Sequence, residues 1–251
     1  MKIAALYDIH GNLPALNAVL SELEEVRSDL IVVGGDIVSG PMPSQTLERL
    51  VALGDRVRFI RGNGDREVVM IFDGQPLPPA MSEEVRVITS WVAGQFTRSQ
   101  RDFLAALPER ITLSISGLGD ILFCHATPRN DEEIFTTNSP RERLATIFAG
   151  VQTPIVVCGH THVQFEIPFE GLRIINSGSV GMPYADQPGA YWLLLDEQGP
   201  HFRRTPYDLQ AAAQAIEASG YPQAHEFATE NVLTVPTAAE AMEIFERLAH
   251  D

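Results

Sequence analysis

The chain has 251 residues, 45% hydrophobic and 20% charged, enough for one large domain or two small ones whose core needs no disulfide staples. No apolar run approaches the ~20 residues of a membrane-spanning helix, and Asp8 and His10 break the apolar start, which reads as a first strand rather than a signal peptide. A formal net charge of −15 argues against broad binding to nucleic-acid backbones, which needs Lys and Arg to displace counterions.

In chain order, residues 2–7 (KIAALY) predict a buried strand. Residues 13–26 place Leu13, Leu16, Val19, Leu20 and Leu23 at helical spacing, with Asn12 as the cap and Pro14 in the tolerant first turn. Residues 29–36 (DLIVVGGD) predict a second strand. Residues 42–53 predict a second helix capped by Ser44, and residues 56–65 a third strand ending in a Gly-rich turn. This alternation implies parallel strands with right-handed crossovers.

Residues 73–80 (DGQPLPPA) form a loop, succeeded by two helical stretches capped by Ser82 and Thr97. Together residues 73–110 read as a helical insertion near the site, within one domain spanning 1–251. RITLSISGLGDILFCHA predicts a hairpin turning at SGLGD. PIVVCGHTH is a strand into a turn, QFEIPFEGLRIINSGSVG a second hairpin, and GAYWLLLDEQG and HFRRTPY further strands. Residues 207–251 end the chain in amphipathic helices, whose apolar faces suit either the main body or a homodimer interface. The pattern suggests two sheets packed face to face with helices outside.

Seven ligand-type residues lie at the ends of these apolar runs: Asp8, His10, Asp36, Asn63, His125, His160 and His162. Residues two apart on a strand share a side, so Asp8 and His10 can aim at one ion. Gly34 and Gly35 allow a tight turn before Asp36, at the end of a parallel strand where open α/β sheets place their sites. Asn63 offers a neutral oxygen. His160 and His162 carry four ring nitrogens, which a core would have to satisfy.

Each cluster alone has a plain alternative: a turn and a surface histidine, a helix cap at Asp36, an Asn-Gly turn. Together, two aspartates, an asparagine and four histidines match what a pair of Mn, Fe, Zn or Ni ions accepts. Asp8, Asp36 and Asp65 are the negatives expected to face such ions, and two divalent cations would return positive charge where a phosphate binds. Cys124 and Cys158 each end an apolar run and read as buried thiols. With no disulfide framework, a reducing cytoplasm is expected.

The ordered motifs DIH, GGD, GNGD, CHATP and GHTH resemble those of the calcineurin-like metallophosphoesterase superfamily. INSGSVGMP is similar to the INPGSVG turn of its small bacterial and archaeal phosphodiesterase branch, with Ser177 where proline is usual. The match covers residues 1 to about 182, and the last ~70 residues match weakly or not at all. The resemblance implies a four-layer α/β/β/α sandwich of two packed mixed sheets with outer helices. It also implies a binuclear centre: Asp8, His10 and His162 on one metal, Asn63, His125 and His160 on the other, Asp36 and a water or hydroxide between them. Two cations there would activate water and stabilise both attacking and leaving oxygens.

Many relatives carry a leaving-group histidine in the third motif, where this chain has Gly64. Phosphodiesters with good leaving groups are therefore favoured as the small substrate. Phosphomonoesters, phosphoproteins and dinucleoside polyphosphates are the enzymatic alternatives, and a non-catalytic metal-binding interaction scaffold is the other. Arg66 and Arg129 lie close to the ligands in sequence and are candidates for phosphate contact, or for ion pairs.

Overall fold

The computed structural model describes residues 1–76, 78 and 81–249. Residues 77, 79 and 80 of the expected proline loop, and the last two residues, lie outside the described residues.

The chain opens with β1 (Ile3–Leu6) and α1 (Leu13–Val26). Asn12 caps α1 as expected, its side chain accepting from the Ala15 N–H at 3.1 Å. The helix buries Ala15, Leu16, Val19, Leu20 and Leu23 and stops at Arg27, which turns left-handed at φ 56°. β2 (Leu30–Val33), α2 (Pro43–Val51) and β3 (Val57–Phe59) come next. Two details differ from expectation here. Met42, not Ser44, sits at the N-cap of α2, and the Ser44 hydroxyl instead donates to the Gln95 carbonyl at 2.6 Å. The third strand is only three residues long, because Asn63 begins a helix, α3 (Asn63–Phe72). The Asp65 carboxylate reaches back to the Gly62 N–H at 3.0 Å, so Gly-Asn-Gly-Asp is a helix start rather than a turn.

The insertion forms α4 (Glu83–Ala93) and α5 (Arg98–Ala105), capped by Ser82 and Thr97 as expected. It joins the outer helical layer: Phe103 meets Phe59 edge-on at 5.3 Å, and Trp91 meets Tyr221 at 5.4 Å. β4 (Arg110–Ile115) and β5 (Gly119–Cys124) make the first hairpin. α6 (Arg141–Ile147), not anticipated, leads to β6 (Ile155–Cys158), and β7 (Gln164–Phe169) with β8 (Leu172–Ser177) makes the second hairpin. β9 (Ala190–Asp196), β10 (Gly199–Thr205), α7 (Leu209–Glu217), a short α8 (Ala224–Ala228) and α9 (Ala238–Leu248) complete the chain.

Two five-stranded mixed sheets result, ordered β10-β9-β1-β2-β3 and β4-β5-β6-β8-β7. β1, β2 and β3 are parallel, as are β5, β6 and β8. The first sheet is completed from the far end of the sequence, with β9 antiparallel to β1 (Ala5 opposite Leu193).

Strand alternation sorts the apolar side chains into three slabs. Ala4 and Leu6 face α1, beside Leu16 and Val19. Ile3, Ala5 and Tyr7 face the second sheet, meeting Ile121, Phe123, Val157 and Ile175. Cys124, Val156, Cys158 and Ile174 face outward onto Leu144 and Ile147 of α6 and Ala241 of α9. Three slabs between four layers define an α/β/β/α sandwich. Each fully buried aliphatic side chain contributes on the order of 1.5–3 kcal/mol. The slabs can therefore offset the cost of holding polar groups buried at one edge.

Both cysteines are free and buried, as the sequence predicted. Burial pushes the Cys124 thiol up to about 12. The C-terminal helices pack on the sandwich: Ala212, Ala213 and Ile216 of α7 over the first sheet, Ala241 of α9 over the second.

Candidate metal centre at the sheet edge

All seven expected ligands converge at one edge. Asp8 and His10 leave β1, Asp36 leaves β2, Asn63 comes after β3, His125 directly after β5, and His160 and His162 after β6. This is the carboxyl end of the parallel strands of both sheets, where open α/β sheets bind ligands. The connecting loops are stitched together by their backbones. The His10 N–H donates to the Asp36 carbonyl at 2.9 Å, the Gly159 N–H to that of His125 at 2.8 Å, and the Gly181 N–H to that of Asp8 at 3.0 Å.

Backbone conformation singles out the same residues. Asp8, His10, Asp36, His160 and His162 have φ of 52°, 47°, 49°, 68° and 58°. Arg27 and Glu170 are the other non-glycine residues with positive φ among those described. A left-handed L-residue costs roughly 1–3 kcal/mol, and such residues cluster at functional sites. The strand ends have to turn this sharply to bring their side chains together. Close approach adds a further constraint: a Cβ at Gly159 would lie 2.4 Å from an Asp8 oxygen.

Ligand atoms of Asp8, His10 and His162 form one compact group, and those of Asp8, Asp36 and His125 another, each set lying within 4.8 Å of one another. His10 Nε2 lies 3.1 Å from His162 Nε2, and His162 Nε2 lies 3.5 Å from Asp8 Oδ1. The two oxygens of Asp36 divide between the groups: Oδ2 is 3.7 Å from His10 Nε2 and Oδ1 is 3.6 Å from His125 Nε2. Asn63 joins His125 and His160. Its carboxamide oxygen faces acceptors, and the opposite orientation would let its NH2 donate to His160 Nδ1 at 3.2 Å and His125 Nε2 at 3.3 Å. A cation among these atoms would select the first orientation, in which oxygen is the ligand.

Each imidazole is oriented through its other nitrogen. His10 Nδ1 meets the Ser39 carbonyl at 3.1 Å, His125 Nδ1 that of Gly34 at 2.9 Å, His162 Nδ1 that of Met182 at 2.8 Å, and His160 Nε2 that of Glu132 at 3.1 Å. A carbonyl partner makes that nitrogen the N–H and leaves the inward one as a lone pair, the tautomer a metal needs. Asp8 Oδ1, fully buried, has no hydrogen-bond partner. Such an orphan is costly unless a cation satisfies it, so the donor set fits a metal.

The charges agree. Burial would raise Asp8, but the surrounding imidazoles, His162 foremost, outweigh it and hold the carboxyl well below its ordinary range. Burial, then His125, brings His160 down to about 4. Burial and His162 lower His10. Burial opposes charging of His125 as well, yet Asp36 and Asp8 raise it, as expected where carboxylates seek positive charge.

The other singled-out residues fall differently. Asp65 does not face the ligands: its carboxylate accepts from Ile37 N at 2.9 Å and Val38 N at 3.3 Å, besides Gly62. It joins the start of α3 to the Asp36 loop, which explains a buried carboxylate away from any cation. Gly64 donates its N–H to Asp36 Oδ1 at 2.8 Å, and a Cβ there would lie 2.2 Å from the Ser39 hydroxyl. The Ser39 and Asp36 side chains occupy the space that a side chain there would need. The Arg66 guanidinium grips Asp131 at 3.0 and 3.2 Å and also Glu132. Arg129 pairs with Glu133, Nε to Oε2 at 3.0 Å.

Sequence reasoning missed Glu67, only 8% exposed, whose carboxyl is pushed up to about 7 by burial and then by Asp36. Its position one turn after Asn63 becomes informative only once α3 is known. The loop carbonyls of Ser39, Met182 and Glu132 carry no side-chain signal at all.

A four-layer sandwich with buried Asp and His groups able to hold metal at its sheet edge is the architecture of a metallophosphoesterase. The chain belongs to the calcineurin-like phosphoesterase superfamily, whose domain profile matches residues 1–199. An uncharacterised protein of Methanocaldococcus jannaschii is 27% identical over 239 residues, covering 88% of this chain and 94% of that protein. The phosphodiesterase YfcE of Escherichia coli K12 is 24% identical over 203 residues, covering 77% and 87%. A crystal structure of a metallophosphoesterase from Sphaerobacter thermophilus aligns with TM-score 0.72 at 26% identity, covering 93% of this chain and 98% of that one. That coverage extends past the profile, into the C-terminal region where the sequence pattern fades. Among the described residues, no helix is long and apolar enough to cross a membrane.

Proposed function

We propose that this chain hydrolyses small phosphodiesters with two divalent metal ions. Asp8, His10 and His162 would hold one ion, Asn63, His125 and His160 the other, and Asp36 would serve both. The observation that carries this reading is the division of the Asp36 oxygens between His10 and His125, beside the partnerless Asp8 Oδ1. The mixed oxygen and imidazole set suits Mn, Fe, Zn or Ni. The reading takes residues 1–251 as one domain, with the 73–110 insertion and the 207–251 helices as its outer layer. The two buried free thiols are consistent with a reducing cytoplasm.

When bound, the ions would supply Lewis-acid activation of water and charge stabilisation. The chain's own part is preorganisation: backbone carbonyls fix the imidazole tautomers, and the N–H of Gly64 steadies Asp36. With glycine at position 64, no side chain at the usual place protonates the leaving group, which favours diesters whose leaving groups need little protonation. Arg66 and Arg129 could contact phosphate only by exchanging their carboxylate partners for it.

The test is hydrolysis of bis(p-nitrophenyl) phosphate and p-nitrophenyl phosphate by metal-stripped protein reloaded separately with Mn, Ni, Zn or Mg. Metal-dependent turnover favouring the diester is expected. Monoester preference would transfer the assignment to a phosphatase, and metal binding without turnover would favour a scaffold.

A further inference from the structure

The second half of the centre depends on a strap, and the geometry points to Arg66 as its positioning residue. By gripping Asp131 and Glu132, Arg66 fixes the loop that orients His160, and so controls occupancy of the metal position His160 shares with Asn63 and His125, without touching phosphate. The inference rests on the two-metal reading above.

His160 is the exception among the four imidazoles. His10, His125 and His162 present Nε2 inward and anchor Nδ1 on carbonyls of the sheet-edge loops. His160 presents Nδ1, and its Nε2 rests on the Glu132 carbonyl at 3.1 Å. The neighbouring Asp131 carbonyl lies 3.2 Å from the Asn63 carboxamide and would accept from its NH2 only in the orientation that turns the oxygen away from the metal position. Of the three ligands in this half, His160 is thus the one backed by a carbonyl of this loop. That loop belongs to no strand or helix. It is shaped from within by Asn130, whose side chain accepts from Glu132 N at 3.0 Å and Glu133 N at 2.7 Å.

Arg110 and Arg143 hold its flanks at the carbonyls of Pro128 and Ile134, at 2.7 and 2.8 Å, and Arg66 ties its middle to α3. Nε and Nη2 hold the two oxygens of Asp131 at 3.0 and 3.2 Å, and Nη2 also meets Glu132. Arg61 adds a longer contact to Asp131 at 3.7 Å. Arg66 lies on α3, the helix that Asn63 begins. One guanidinium therefore links the helix of one ligand to the loop that orients another. The paired, planar geometry is what arginine provides and lysine does not. A phosphate could take this guanidinium only by displacing Asp131, and the loop would then lose its tie to α3.

Groups that orient metal ligands typically change metal affinity 10–100-fold when removed. The test is calorimetric titration of the metal-stripped full chain with Mn(II). The parent protein should bind two equivalents. Arg66→Ala should keep one tight site and weaken the other 10–100-fold, and Asp131→Asn should do the same. The double variant should lose less than the sum of the two singles, because both break the Arg66–Asp131 contact. Arg66→Lys should recover part of the loss. If Arg66→Ala does not fold, Asp131→Asn and Arg66→Lys decide the matter.

Two unperturbed Mn sites with a raised KM for bis(p-nitrophenyl) phosphate would overturn the inference and make Arg66 a phosphate contact. Equal weakening of both sites would also overturn it, as a global effect. A parent protein that binds no Mn would fail the metal-centre reading itself, a result separable from either.

Discussion

The two halves of the proposed metal centre are built from similar residues but supported differently. Around Asp8, His10 and His162, the anchoring carbonyls of Ser39 and Met182 belong to loops tied directly to the sheet edge, and the Asp8 N–H donates to the Gly35 carbonyl at 3.1 Å. Around Asn63, His125 and His160, only His125 is anchored in that way, on Gly34. His160 leans on a loop fastened to α3 by an ion pair. How firmly a ligand is held therefore depends on the element behind it rather than on the ligand's identity.

Asp36 faces both halves, and its substitution has the largest expected effect. Asp36→Asn should lower kcat/KM for bis(p-nitrophenyl) phosphate by about a thousandfold or more, roughly 4 kcal/mol of transition-state stabilisation. Circular dichroism should show the fold intact. Substantial turnover by the Mn-loaded variant would mean that the halves work independently.

Glu67 lies on the Asn63 side. Burial and then Asp36 push its carboxyl from 4.5 up to about 7. The folded chain therefore holds a proton that the unfolded chain releases, and Glu67 costs stability increasingly as pH rises from 4.5 through 7. In metal-free protein, Glu67→Gln should gain on the order of 1–3 kcal/mol over the parent above about pH 7 and little below about pH 4.5. Urea melts across that range provide the check, and a pH-independent difference would refute the assignment.

Gly64 reports on the contact between α3 and the Asp36 loop. A Cβ there would meet Ser39 Oγ at 2.2 Å and Asp36 Oδ1 at 3.1 Å. Gly64→Ala should cost about 1–3 kcal/mol in urea unfolding, and an unchanged midpoint would show that the loop yields easily. The smallest effect lies away from both halves. Cys124, pushed up to about 12 by burial, and Cys158, raised further by burial and Cys124, should both resist a thiol reagent at about pH 8. Both should react once the chain is unfolded.

Much of this was legible in the residues. Strand and helix periodicity located β1, α1, β2, β5 and β6, because each buries a continuous face whose spacing derives from backbone geometry. The ligand types and their places at strand ends were legible as well. The α3 start was misread because Asn-Gly is a turn signal until Asp65 is seen to cap it. α6 and α8, seven and five residues long, are too short for a clear period. The capping role of Ser44 was lost to a tertiary partner, the Gln95 carbonyl.

The four-layer class, the strand-end clusters and the family motifs could be read from the residues alone, because these depend on local period and residue chemistry. That β9 and β10 complete the first sheet and that five candidate ligand residues turn left-handed was settled by three-dimensional packing. It alone also placed Asp65 on backbone amides and Arg66 on a loop sixty-five residues away. These outcomes depend on which backbone groups meet across long separations in the chain, and local pattern carries no record of those meetings.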